Sequence, residues 1–189
     1  MFEEKRVVIW DTEYTSWEGC NENGWDNEKD EYKEIIQIGA VIYDTEEQKI
    51  IDSFDKAVNP QINPELSDYI KELTGITQER VKKADKFDKV LKQFLKWSSG
   101  LQFYSYRNDL GVVKRNKELY NLNIILEEER FHDITPYFSN AGVPVDDWNS
   151  GDIAHYYDPD KELLPQHDAF HDAKNMAEAV KLAQRNNSQ

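Results

Sequence analysis

The segment Arg6-Val-Val-Ile-Trp-Asp11 is the starting point for predicting the fold of this chain. Its apolar run is typical of a short buried strand, and the strand is expected to end on the acid Asp11. Residues 34–43 (EIIQIGAVIY) and 49–58 are also apolar and rich in strand-forming residues, and a short polar turn joins them. Three strands in succession predict an antiparallel meander at the start of a mixed sheet.

The hydrophobic pattern changes its period after the third strand. Apolar residues between Phe87 and Leu95 recur at intervals of three and four, which predicts an amphipathic helix that Gly100 ends. The remaining predicted elements are a strand at 101–106, a helix at 110–119, a short strand at 123–126, a helix at 168–184 and a frayed tail at 186–189. Strands followed by alternating helices and strands predict an α/β fold with helices packed on a mixed sheet.

The composition limits the classes of protein that this chain can belong to. It has 189 residues, 37 acidic and 23 basic side chains, a formal net charge of −14 and 39% hydrophobic residues. This length predicts a single domain over residues 1–189 with a substantial core. The acidic charge argues against a general nucleic-acid coat protein, because neutralising phosphates requires basic surface. It does not exclude an enzyme that reaches nucleic acid through bound metal ions.

Cysteine content and hydropathy set two further limits. Cys20 is the only cysteine, which excludes an intramolecular disulfide and a multi-thiolate zinc site. No segment approaches the ~20 apolar residues of a membrane span, and the first residues lack the apolar run of a signal peptide. A cytoplasmic protein without membrane contact is therefore expected.

Residues 16–34 form a polar segment that is expected to be an exposed loop inserted into the domain. The segment has seven acids, two lysines and turn signals at Gly19 and Gly24. Loops of this length inside a domain are usually functional or mobile. Because the segment follows Glu13 closely, we expect it near the mouth of any cleft there, where its acids would repel long anionic chains.

Asp11 and Glu13 form the first candidate site. Residues i and i+2 of an extended chain point to the same side, so these carboxylates lie close together and repel each other. A bound divalent cation removes this conflict, and carboxylate oxygens are the ligands that Mg²⁺ and Mn²⁺ favour. The alternative is a solvated strand end, since this triplet is common.

The segment His167-Asp-Ala-Phe-His-Asp172, at the start of the last predicted helix, forms the second candidate site. An imidazole near a metal-bound carboxylate can act as the general base that activates water. The alternative is a solvated helix start, where acids interact favourably with the helix dipole.

Together the two segments resemble the DEDDh family of 3′–5′ exonucleases, which has a ribonuclease-H-like fold and includes the histone-mRNA and sporulation-inhibitor exonucleases. The resemblance rests on the patterns D-x-E-x-T (Asp11, Glu13, Thr15) and H-x-x-x-x-D (His167, Asp172). Residues 34–41 and 63–77 are also similar to segments of this family.

The resemblance implies a third acidic element, an aspartate after a central strand at the start of a helix. Asp109 matches this position, although the phenylalanine that often precedes the family's aspartate is missing. Asp85 and Asp88 are weaker candidates, because they precede an ordinary amphipathic helix. Asp133 resembles a structural aspartate of the family and is not assigned as a ligand.

What the resemblance implies is a two-metal exonuclease. Asp11, Glu13, Asp109 and Asp172 would hold two Mg²⁺ or Mn²⁺ ions, with His167, rather than His171, as the base. The substrate would be the 3′ end of single-stranded RNA or DNA, and the product a nucleoside 5′-monophosphate. The two alternative functions are an inactive nucleic-acid-binding module on the same fold and an acidic mimic that binds basic proteins.

Further residues are candidates for contact with the nucleic acid. Thr12 and Thr15 are placed to contact the terminal nucleotide, and Trp17 to stack on a base, although an aromatic beside a loop is as often packed against the domain. Three basic residues flank Asp109 and are candidates for phosphate contact, namely Arg107, Lys114 and Arg115.

Overall fold

A five-stranded mixed sheet forms the centre of the molecule. The computed structural model describes residues 2–186, with the main chain alone at position 27. The strands are β1 (Arg6–Tyr14), β2 (Ile35–Asp44), β3 (Lys49–Ala57), β4 (Gln102–Ser105) and β5 (Phe131–Asp133). Their order across the sheet is β3-β2-β1-β4-β5. β1 to β3 pair antiparallel, whereas β4 pairs parallel to β1 and to β5, which confirms the predicted meander and mixed sheet.

Helices cover both faces of this sheet. They are α1 (Cys20–Asn23), α2 (Asp68–Thr74), α3 (Gln78–Lys82), α4 (Phe87–Trp97), α5 (Asp109–Leu119), α6 (Thr135–Ser139) and α7 (Ala169–Asn186). Short 3₁₀ turns lie at Asn27–Lys29, Glu128–Arg130, Val145–Asp147 and Ile153–Tyr156. The amphipathic helix predicted after Phe87 and the final helix are confirmed as α4 and α7.

Two apolar layers fix the helices on the sheet. On one face, Met176 and Val180 of α7 are fully buried against a layer that includes Val7, Ile9 and Val41. On the other face, aromatic side chains of α4 and Val113 of α5 pack against Val8, Trp10 and Phe103. β2 is buried along its whole length, because helices cover it on both sides.

β1 continues three residues beyond its predicted end. Residues 12–14 pair with β2, with a shift of register between Glu13 and Tyr14. Asp11 and Glu13 therefore lie inside the central strand rather than at its end, and the antiparallel partner holds their main chain in place. The sequence pattern missed these residues because they are polar.

The strand predicted at residues 123–126 was wrong. This segment is irregular, and the position beside β4 is taken by β5. Leu122, Ile124 and Leu126 pack against the core layer under α4, whereas Ile125 is 84% exposed. The alternating apolar pattern is real, but it belongs to a loop that packs on the core without strand pairing.

Residues 16–34 are more closely attached to the domain than their composition predicts. The segment includes α1 and a 3₁₀ turn, and its predicted glycine turns have the left-handed φ values of 80° at Gly19 and 82° at Gly24. Glu34 is fully buried, where it accepts hydrogen bonds from main-chain N–H groups of residues 61–63 and from the Tyr120 hydroxyl. This acid fastens the end of the loop and is not available to repel a ligand.

Two predictions concern the limits of the chain and its relation to membranes. Asn186, predicted to be part of a frayed tail, ends α7, and residues 187–189 lie outside the described residues. Within residues 2–186, no helix is long and apolar enough to cross a membrane.

Gly39 allows α7 to begin directly above the centre of the sheet. It pairs with Asp11 across β1 and β2, and a Cβ at this position would lie 2.1 Å from the Phe170 nitrogen. Because the contact is with main chain, no side-chain rotation can relieve it.

We expect Gly39→Ala to displace the start of α7, lower the melting temperature and weaken Mn²⁺ binding at the nearby carboxylates. Thermal unfolding and calorimetric titration measure the two effects. A melting temperature and an affinity equal to those of the wild type would show that the helix start is not held by this contact.

Candidate active site

Three carboxylates meet where the start of α7 crosses β1. Asp11 and Glu13 lie on the same side of the strand, and Asp172 occupies the first turn of α7. One carboxylate oxygen of each residue lies within 4.8 Å of the other two. The predicted alternation along β1 and the position of the helix start together produce this cluster.

The electrostatics of the cluster are unfavourable for three ionised groups. Burial raises the pKa of Asp11 and of Glu13 well above their ordinary values, and neighbouring carboxylates raise both further. Burial also raises the pKa of Asp172 to about 7, and its Oδ1 is buried without a hydrogen-bond partner among the described residues. The main charges acting on the three groups are all negative. A divalent cation would compensate all of these effects, so the residues fit such an ion.

Asp109 lies beside this cluster but outside the group of three. It is the first residue of α5, and Asn108 caps the helix by accepting a hydrogen bond from the Gly111 N–H. Asp109 Oδ1 accepts hydrogen bonds from the Thr12 N–H (3.1 Å) and the Thr12 hydroxyl (2.6 Å). Burial raises its pKa to about 6, against the effect of these bonds. The hydroxyl of Thr12 is thus occupied in orienting Asp109, although Thr12 also lines the adjoining cavities.

The segment His167–Asp172 was open to two interpretations, a solvated helix start and part of a catalytic site, and each describes one of its aspartates. Asp168 caps α7, because its Oδ1 accepts hydrogen bonds from the N–H groups of Phe170 and His171, and it also lies 3.5 Å from Arg80. The helix-start interpretation therefore describes Asp168. Asp172, four residues later, faces the carboxylates of β1 instead.

His167 lies beside Asp172 in a left-handed main-chain conformation, with φ of 64°. Its main-chain N–H donates a hydrogen bond of 3.1 Å to Asp172 Oδ2. The residue lines a cavity of about 250 Å³ together with the carboxylates and the apolar side chains of Ile70 and Leu73. His171 points elsewhere, with Nδ1 3.1 Å from the Pro165 carbonyl oxygen.

The predicted nucleic-acid contacts have different surroundings. Arg107 lines a second cavity of about 340 Å³ that also reaches Asp11 and Asp109, and its guanidinium donates to the Val145 carbonyl and to Asp146. The Thr15 hydroxyl is buried, donates to the Tyr32 carbonyl and accepts from the Glu34 N–H. The structure thus uses Thr15 to hold the loop at 16–34.

The other candidates take part in local contacts. The Trp17 N–H donates to Cys20 Sγ, and Lys114 forms an ion pair with Glu128. Asp85 and Asp88 form ion pairs with lysines one helical turn later. Asp133 accepts hydrogen bonds from the Arg107 N–H and from Thr135, which supports the structural role expected for it.

The sequence analysis missed the turn at residues 149–151. Ser150 lies close enough to Asp11 to lower the pKa of that carboxyl, and Asn149 and Ser150 line the same cavity as His167. A Cβ at Gly151 would lie 2.5 Å from Asp172 Oδ1. The Asn-Ser-Gly sequence signals a turn, but no local pattern places that turn against residues so distant along the chain.

Comparisons with known proteins agree with this geometry. Residues 8–180 match the family model described as Exonuclease (RNase_T). The chain is 40% identical over 91 residues to the human 3′-5′ exoribonuclease 1. The aligned segment covers 48% of this chain and 24% of that protein. It is 44% identical over 87 residues to the 3′-5′ exonuclease eri1 of Schizosaccharomyces pombe, covering 46% and 27%. The matches span about a quarter of the length of these two relatives.

The similarity extends to solved structures. The nuclease domain of 3′hExo, described as a DEDDh family member bound to rAMP, has a TM-score of 0.83 and 26% identity, with coverage of 97% of this chain and 94% of that chain. Cell-death related nuclease 4 (CRN-4) has a TM-score of 0.77 and 28% identity, with coverage of 97% and 64%. These similarities confirm the predicted ribonuclease-H-like α/β fold.

Proposed function

This chain belongs to the exonuclease family (RNase_T), and we propose that it is a metal-dependent 3′–5′ exonuclease that hydrolyses single-stranded RNA or DNA to nucleoside 5′-monophosphates. The observation that carries the proposal is the convergence of the Asp11, Glu13 and Asp172 carboxylates in a buried site whose main electrostatic neighbours are negative. A binding module or an acidic mimic has no need of this costly arrangement.

Asp11, Glu13 and Asp172 would hold one divalent ion, Mg²⁺ or Mn²⁺, and Asp109 together with Asp11 would hold a second. When bound, the ions supply an acidified water and stabilise the departing 3′ oxygen. Thr12 orients Asp109 through both of its donors, and these two bonds fix that carboxylate before any ion binds.

His167 is the proposed general base. It is exposed on the wall of the cavity that the three carboxylates line, so its imidazole can take a proton from a water held there.

We assign the same cavity to the terminal nucleotide, with Ile70 and Leu73 beside its sugar and base. Arg107 lines the cavity on the other side of Asp11 and would contact phosphate.

Digestion of 5′-labelled single strands of RNA and DNA of equal length, with Mg²⁺ or Mn²⁺, tests this proposal. We expect ladders that shorten from the 3′ end, release of 5′-mononucleotides and no cleavage in excess EDTA. Internal cleavage products or activity in EDTA would contradict the mechanism. Binding without cleavage would support the inactive module, and neither binding nor cleavage would support the acidic mimic.

Two further expectations remain proposals. We propose that the chain forms one exonuclease domain with residues 16–34 inserted in it. The cytoplasmic location stays a prediction of the sequence. Fractionation of cells that express the tagged chain addresses the second point.

A further inference from the structure

Among the residues that the structure describes, Lys33 and Arg115 form a pair of cations without carboxylate partners, in a chain that carries an excess of acids. The Lys33 Nζ lies 3.7 Å from the centre of the Trp25 ring and 4.7 Å from that of the Tyr14 ring. In residues 2–186, neither cation forms an ion pair with a carboxylate. Burial and the neighbouring charge of Arg115 lower the pKa of Lys33. Two cations held this way favour an anionic ligand between them.

These cations lie between the active site and a further cavity. They line the 340 Å³ cavity that reaches Asp11 and Asp109, and they also line a cavity of about 400 Å³ formed with Trp25 and other residues. The two cavities therefore share the Lys33–Arg115 wall and form one groove that leads away from the carboxylates.

α5 forms one side of this groove along its length. Asp109, Val112, Arg115 and Leu119 recur at intervals of three and four and so lie along one stripe of the helix. Arg115 lies six residues after Asp109, which is about 9 Å along the helix axis. The other side is built from the loop at 16–34, which Asn116 fastens to α5 through a 2.7 Å hydrogen bond to the Lys33 carbonyl oxygen.

We propose that this groove binds the part of a single-stranded nucleic acid that lies 5′ of the bond being cut, with a phosphate between Lys33 and Arg115 and a base beside Trp25. The proposal rests on the proposed exonuclease function and extends it by assigning the path of the substrate strand. It also gives the loop at 16–34 an attractive role, unlike the repulsion that its acids suggest.

The charges and sizes of the cavities give the direction of the strand. The cavity at His167 is the smaller, at about 250 Å³, and Ile70 and Leu73 line it, which suits one terminal nucleotide. The cationic groove on the other side of Asp11 is longer, so the rest of the chain belongs there. Aromatic side chains and cations together are the usual means of holding single strands without sequence preference.

Glu31 is the one carboxylate among the described residues that line the 400 Å³ cavity. Its Oε2 accepts a hydrogen bond from the Asp26 N–H, which fixes it on the wall of that cavity. Since a carboxylate there repels phosphate, Glu31→Gln is expected to tighten the binding of long strands.

The test compares the double variant Lys33→Met/Arg115→Gln with Lys117→Gln, which removes a cation from α5 outside the groove. A dinucleotide contains only the bond to be cut, whereas a decanucleotide also fills the groove. We expect the double variant to lose at least about tenfold in kcat/KM on the decanucleotide and nothing on the dinucleotide. The control should match the wild type on both substrates.

Binding provides a measurement that does not depend on cleavage. In the His167→Asn background with Mn²⁺, fluorescence anisotropy gives the salt dependence of decanucleotide binding. Each phosphate contact in a single strand contributes ~0.7 to the slope, so the double variant, which loses the one phosphate held between Lys33 and Arg115, should lower it by about 0.7. If the double variant does not fold, Arg115→Gln alone at its exposed position should lower the slope by about half as much.

If the double variant loses kcat/KM equally on both substrates, or loses none on the decanucleotide, the proposal that the groove binds the strand is overturned. If the wild type cuts neither substrate, the proposed exonuclease function fails. The salt slope of decanucleotide binding then decides whether the groove binds nucleic acid. A lowered slope then supports the groove, and an unchanged slope overturns it.

Discussion

Asp11→Asn should abolish cleavage and, at the same time, make the metal-free protein more stable at pH 8. Loss of an outer-shell partner of a metal ligand already costs ~10–100-fold in metal affinity, and the loss of a ligand should cost more. The gain in stability has an electrostatic cause. Burial and the charges of neighbouring carboxylates raise the pKa of Asp11, so its ionised form opposes folding when no metal is bound.

The sign of the pH dependence follows from the raised pKa values. A folded state that holds its protons more tightly loses stability as pH rises from the unfolded pKa to the folded one. For Asp172 this window extends from the ordinary value of 3.8 to about 7. The metal-free wild type should therefore melt at a lower temperature at pH 8 than at pH 5.5, and Mn²⁺ should raise the melting temperature most at pH 8.

Differential scanning fluorimetry in EDTA and in Mn²⁺ at both pH values measures these effects. Asp44→Asn is the matched control, because the N–H groups of Glu47 and Glu46 lower the pKa of Asp44, which lies at the far end of β2. This control should lower stability at pH 8 and keep the response to Mn²⁺. A metal-free Asp11→Asn protein less stable than the wild type at pH 8 would show that the carboxylates do not repel each other as the structure indicates.

Most of the fold could be predicted because its strands and helices have regular apolar periods. The helix after Phe87 and the three-strand meander follow from spacing alone. β5 could not be found this way, since it is three residues long and two of them, His132 and Asp133, are polar. Pairing with β4, rather than local sequence, makes it a strand.

The candidate site likewise has features that local sequence predicts and features that only the folded chain brings together. Asp11 and Glu13 could be predicted to face one side because alternation is a local property of a strand. The contact of Ser150 with Asp11 and the arrival of Lys33 beside Arg115 depend on how distant segments fold together. Glu34 could not be predicted for the same reason. Composition alone places it among seven acids of an exposed loop, whereas in the structure it is buried.

Replacing His167 should cost ~10²–10⁴-fold in kcat, the usual effect of removing a general base, while metal binding survives. The bond from residue 167 to Asp172 Oδ2 comes from the main-chain N–H, so a substitution that keeps the backbone conformation keeps this bond. Asparagine is the suitable replacement, because it tolerates the left-handed region in which His167 lies. His167→Ala lacks the imidazole as well but places an unsuitable residue at this φ.

The comparison of these variants separates the proton-transfer role from a structural one. His167→Asn should bind Mn²⁺ like the wild type in calorimetric titration and yet turn over slowly. Any further loss of stability in His167→Ala measures the cost of placing alanine in the left-handed backbone conformation of residue 167. His171→Asn is the control, since the side chain of His171 faces the Pro165 carbonyl and should leave turnover near the wild-type rate. Near wild-type turnover in His167→Asn, or an equal loss in His171→Asn, would mean that a group other than His167 takes the proton from the attacking water.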